Sequence, residues 1–135
     1  MLKILFMITK KSEKKILIVD EYGFSRVCAA ILASSGYNTD IVPLVKDVSQ
    51  KLDDDSIDLV VTSYPYGTAF FDSLRNKDIP VIILSDSIDE RLMGILGDFQ
   101  NSCCMIKPVD YDRFKSLVKR AIEGTCLTEG GYSIV

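Results

Sequence analysis

The sequence predicts an α/β domain built on a parallel sheet with helices on both faces. Short runs that are apolar at nearly every position, Ile16 to Val19, Asp58 to Ser63 and Ile79 to Leu84, suit strands covered on both sides. Stretches with apolar residues at helical spacing stand between them. The two kinds of segment alternate five times along the chain, the order of successive β–α units in a parallel sheet.

Taken in order, the first strand is Ile16-Leu17-Ile18-Val19, and it ends in Asp20-Glu21. Phe24, Val27, Cys28, Ile31 and Leu32 then recur on one helical face until Ser35-Gly36 stops the helix. A weaker strand, Tyr37 to Val42, precedes Pro43 and a helical stretch with Val45, Val48 and Leu52 inward, closed by the solvated turn Asp53-Asp54-Asp55. The third strand, Asp58 to Ser63, opens into Tyr64-Pro65-Tyr66-Gly67, and a short helix forms around Phe70, Phe71 and Leu74. Ile79 to Leu84, the fourth strand, is the richest in β-formers. Ser87-Ile88-Asp89-Glu90 has the pattern of a capping box, with Ile88, Leu92, Ile95, Leu96 and Phe99 as the stripe behind it. Gly94 and Gly97 each weaken that helix by about 1 kcal/mol relative to alanine. Cys103 to Ile106 is a fifth strand, and Phe114, Leu117, Val118, Ala121 and Ile122 make a last amphipathic helix that ends at Gly124.

Composition sets the setting. A chain of 135 residues is one ordinary domain that buries its core without metal or disulfide. Its net charge of −3 argues against capture of nucleic acid or an anionic membrane, and Lys115, Lys119 and Arg120 read as a solvated helix face. No histidine is present, which excludes histidine catalysis and histidine-ligated metal. Cys28, Cys103, Cys104 and Cys126 show no C-x-x-C spacing, and adjacent Cys103 and Cys104 in a strand point to opposite faces. Buried free thiols in a reducing cytoplasm are therefore expected. The longest apolar stretch, Ile4 to Ile8, is far too short to span a bilayer and lacks a signal-peptide cleavage site after it.

Sites in parallel sheets form at the carboxyl ends of the strands, which selects Asp20-Glu21, Ser63, Ser85-Asp86 and Lys107-Pro108. Together these positions resemble the active site of the receiver domain of bacterial two-component response regulators, over about residues 14 to 123. ILIVDE supplies Asp20 and Glu21, PVIILS supplies Ser85, and MIKP supplies Lys107 and Pro108; Arg26 falls where many members carry arginine. The resemblance implies a flavodoxin-like, doubly wound five-stranded sheet in the order 2-1-3-4-5. It also implies that the acidic pair holds Mg²⁺ and that an aspartate ending the third strand accepts phosphate.

That aspartate falls on Ser63. A serine hydroxyl needs an adjacent base to act as a nucleophile, and no histidine exists to serve. Loss of the carboxylate also removes a hard anionic ligand from the Mg²⁺ site. Asp86 stands where the family has a small residue, and is expected to crowd and repel phosphate. Cys104 replaces the aromatic residue that reports phosphorylation in many receivers. Lys107 is expected to pair with the clustered carboxylates.

The expectation is a degenerate receiver: a cytoplasmic, non-enzymatic signalling module of a two-component or phosphorelay system, acting by protein–protein contact. Its partner would be a histidine kinase, an output protein or a second copy, met through Arg91, Tyr111, Lys115 and Lys119. The alternative is an active variant that binds Mg²⁺ at Asp20, Glu21 and Asp86, or an anion there with Lys107, or that is phosphorylated at Ser63 by a separate kinase. A flavin-type cofactor is disfavoured, because DEYGFSR after the first strand is no phosphate loop. Residues 14–124 form the receiver-like domain and 125–135 a tail. Residues 1–13 form an extension whose Leu2 to Ile8 is apolar enough for an additional edge strand beside Tyr37 to Val42, or for pairing with a second copy.

Overall fold

The computed structural model describes residues 13–42, 48–54, 56–75, 77–99, 101–124 and 132–134. Along the chain these form β1 (Lys15–Val19), α1 (Tyr22–Ser34), β2 (Asn38–Ile41), α2 (Val48–Asp54) and β3 (Leu59–Tyr64). A 3-10 turn (Thr68–Phe70), α3 (Phe71–Arg75), β4 (Val81–Ser85), α4 (Glu90–Asp98), β5 (Ser102–Ile106), α5 (Tyr111–Glu123) and β6 (Tyr132–Ile134) follow. The strands lie in the order β2-β1-β3-β4-β5-β6, and every pairing is parallel. The expected 2-1-3-4-5 arrangement is therefore present, with a sixth strand added beyond β5.

Alternation along the strands builds two cores. Leu17, Val19, Val60, Ile83 and Cys104 face α2, α3 and α4 through Val48, Leu52, Phe71, Leu74, Leu92 and Leu96. Ile16, Ile18, Val61, Ile82, Leu84 and Cys103 face α1 and α5 through Cys28, Leu32, Phe114, Leu117 and Val118. Cys103 and Cys104 lie in opposite cores, as strand periodicity requires. Burial of both strand faces is why the strands lack polar alternation in the sequence.

Several local expectations are corrected. Val27 lies on the outside of α1, 44% exposed, because the inward stripe is carried by Ser25, Cys28 and Leu32. The cap of α4 is Asp89 rather than Ser87: its carboxylate accepts from the Leu92 amide at 2.8 Å, and Ile88 lies before the helix and is 41% exposed. The longer carboxylate placed directly before Glu90 meets the helix's free amides, so the helix starts later than the capping-box pattern suggests. The apolar segment Leu2 to Ile8, expected as an extra strand, lies outside the described residues. The additional strand that the structure does describe comes from the other end of the chain, where a tail was expected.

Candidate functional site

The carboxyl ends of β1, β3, β4 and β5 bring their polar residues to one rim of the sheet. Asp20 directly follows β1 and is only 2% exposed. Its Oδ1 accepts from the Glu21 amide and from the Ser63 hydroxyl, both at 2.8 Å. Its Oδ2 is buried without a hydrogen-bond partner. One residue before Ser63, the Thr62 hydroxyl donates to the Val19 carbonyl at 2.8 Å, so two adjacent side chains of β3 hold the end of β1. Parallel register sets this up: Val19 lies beside Thr62 and Ser63 beside Leu84.

The loop after β3 turns sharply, with a cis Tyr64-Pro65 bond and the Gly67 amide donating to the Ser63 carbonyl at 2.8 Å. Gly67 is required there, since a methyl group would run into the Thr62 hydroxyl and approach the Ser63 carbonyl at 3.1 Å. Tyr64 and Tyr66 are half-buried against the core, and the Tyr64 hydroxyl donates to Asp89 Oδ2 at 3.2 Å. That bond ties the end of β3 to the cap of α4. The sequence carries no signal for it, because the two residues belong to separate β–α units.

On β4, Ser85 is buried, its hydroxyl donates to the Ser87 carbonyl at 2.6 Å, and its own carbonyl accepts from the Lys107 amide at 2.8 Å. Pro108 follows through a cis Lys107-Pro108 bond. The Lys107 ammonium sits 5.1 Å from the centre of the Phe24 ring, and no ion pair of Lys107 occurs among the described residues. The expected pairing with the carboxylates is thus replaced by a cation–π contact, and Phe24, read from the sequence as core, supplies it. Arg26 likewise lies 5.6 Å from the centre of the Tyr22 ring.

Glu21 and Asp86 are exposed. Among the described residues no group of three or more carboxylates and thiols is placed to hold a metal ion. The set Asp20, Glu21 and Asp86 proposed from the sequence is not gathered into one site.

The thiols divide into two kinds. Cys28 and Cys104 are free and buried. Burial, with the Asp20 charge adding and Lys107 opposing, pushes Cys28 up to about 12; burial alone pushes Cys104 up to about 11. Cys103 is disulfide-bonded, which corrects the expectation of free thiols throughout.

No protein-family model and no curated protein matches the chain. Solved structures do. A CheY-like response regulator receiver domain from Methanospirillum hungatei superposes with a TM-score of 0.74 at 18% identity, over 84% of this chain and 97% of that one. A response regulator from Thermotoga maritima gives 0.70 at 20% identity, over 82% and 98%. The N-terminal domain of a response regulator/sensory box/GGDEF protein from Carboxydothermus hydrogenoformans gives 0.68 at 20% identity, over 82% and 94%. The chain has the receiver-domain fold. Within that fold the chain carries the Ser63 hydroxyl at the end of β3, an exposed Asp86 and a sixth strand beside β5. No helix among the described residues is long and apolar enough to cross a membrane.

Proposed function

We propose that this chain is a receiver-like signalling module that works through protein–protein contact and is not phosphorylated on aspartate. The observation that supports this most is the Ser63 hydroxyl, 3% exposed and donating to Asp20. A receiver's acceptor is an anion that attacks phosphorus directly. Ser63 is neutral, and the one base it touches is a carboxylate, too weak to ionise a hydroxyl at neutral pH. The same burial disfavours Ser63 as the substrate of a separate kinase, which needs the hydroxyl accessible.

The unpartnered Asp20 Oδ2 is the one feature that suits a cation. A Mg²⁺ site needs more hard oxygens than this pocket offers, since Ser63 brings no charge and Asp86 is exposed. The donor set does not fit the ion, and the reading gives the ion no role. The contact face proposed for a histidine kinase, an output protein or a second copy is that of α4, β5 and α5. Arg91, Tyr111 and Lys119 are exposed there, with Lys115 half-buried, and the proposed setting is the cytoplasm.

Incubation with acetyl phosphate and Mg²⁺, followed by NMR and intact mass, tests the reading. The expected outcome is an unchanged spectrum and mass. A hydroxylamine-labile phosphate on a strand-end carboxylate would overturn it.

A further inference from the structure

Helix α3 is only 5 residues long, and a trough of about 540 Å³ lies between it and α4. Phe71 and Ile95, both buried, floor the trough. Along the α4 side run Arg91, Gly94 and Asp98, all exposed and spaced to lie on one stripe of the helix.

The charges on that stripe are unbalanced at both ends. Arg75 of α3 reaches across the trough, where its guanidinium pairs with Asp72 of its own helix and with Asp98 Oδ2 at 3.2 Å. One cation serves two carboxylates, so the Asp98 end keeps a formal negative charge. At the other end Arg91 makes no ion pair and no hydrogen bond through its side chain among the described residues. Arg91 and Asp98 do not neutralise each other within the chain, because about 10 Å of helical rise separates them.

Gly94 stands midway between them. It weakens α4 by about 1 kcal/mol relative to alanine, yet an added Cβ there meets nothing within 4 Å, so no contact inside the fold requires glycine. What a bare backbone at that point permits is close approach from outside. An antiparallel copy of the same stripe is complementary to it. A two-fold axis beside Gly94 and Ile95 sets Arg91 of each chain against Asp98 of the other, and glycine facing glycine shortens the distance between the helices.

We propose that the flank of α4 facing α3 is a homodimer contact, in which two chains pack α4 antiparallel about Gly94 and exchange Arg91–Asp98 ion pairs. Each chain supplies the cation that its partner's trough lacks. The proposal rests on the reading of the chain as a contact module and names one partner for it; it does not depend on whether any carboxylate takes phosphate, which the acetyl phosphate experiment decides separately. Arg91 belongs to this flank as well as to the face shared with α5, so Lys119, exposed on α5, distinguishes the two. A contact this small makes a weak dimer that salt weakens further.

Sedimentation of the full chain over a concentration series, at low and high salt, is the test. A dimer whose dissociation constant rises with salt is expected. Arg91→Glu and Asp98→Arg each set like charges together and are expected to weaken it at least about tenfold, while the double variant restores the pairs in reverse and regains most of the affinity. Gly94→Leu is expected to weaken the dimer comparably without lowering the melting temperature of the dilute monomer, because leucine favours helix over glycine. Lys119→Glu should leave association unchanged. A chain that stays monomeric up to its solubility limit overturns the proposal. So does a double variant no tighter than the single ones, a Gly94→Leu chain that associates like wild type, or a dimer broken by Lys119→Glu.

Discussion

Ser63 donates its hydroxyl to Asp20 Oδ1 at 2.8 Å, joining the ends of β3 and β1. The bond is buried, and the other Asp20 oxygen has no partner. Ser63→Ala therefore leaves the carboxylate with the Glu21 amide alone and is expected to destabilise the fold by about 1–3 kcal/mol. Urea unfolding at pH 7 measures this, and a loss below a few tenths of a kcal/mol contradicts the structural role.

Ser63→Asp places a second carboxylate against Asp20. Close like charges raise the pKa of the pair in the folded state. A raised native pKa means the folded state binds more protons. Stability is then expected to fall as pH rises through the ordinary carboxylate value of about 4, and to reach its minimum above the raised native value. Added Mg²⁺ should reverse part of the loss by neutralising the pair. Unfolding curves from pH 4 to 8, with and without Mg²⁺, check both; a pH-independent stability would show that the new side chain points away.

Asp40, on edge strand β2, titrates in the opposite sense. Burial pushes its carboxyl up, but hydrogen bonds and charge from Lys15 and Lys51 outweigh it, and the net value lies below the ordinary range. A depressed native pKa contributes stability above the unfolded value, and this is lost as pH falls through the native one. Because both ion pairs are partly exposed, Asp40→Asn is expected to cost less than about 1 kcal/mol at pH 7 and nothing once the carboxyl is protonated. Parallel denaturation of wild type and variant at pH 7 and pH 2.5 makes the comparison.

Gly67→Ala forces a methyl group onto the Thr62 hydroxyl, which is itself anchored on the Val19 carbonyl. A clash with an anchored side chain and with backbone leaves little room to relax, and a loss of about 1–3 kcal/mol is expected. Gly94→Ala is the control. Nothing lies within 4 Å of its added carbon, so the change should raise helix stability instead. Thermal melts of the two variants should move in opposite directions.

Much of this was legible from local pattern. Strands buried on both faces declare themselves as unbroken apolar runs, so β1, β3, β4 and β5 and the strand-end positions of Asp20, Ser63, Ser85 and Lys107 follow from the sequence alone. Strand periodicity likewise sets Cys103 and Cys104 on opposite faces. What depended on neighbours distant in the chain was not legible. Lys107 had several anions to choose from in one dimension, yet in three the Phe24 ring lies under it. Tyr64 meets Asp89, and the alternative caps Ser87 and Asp89 are separated by where β4 ends and the chain enters α4. The sixth strand has the least local signal of all. Residues 132–134 pair with β5, a contact between separate parts of the chain, and the redox state of Cys103 is a property of the folded neighbourhood rather than of cysteine spacing.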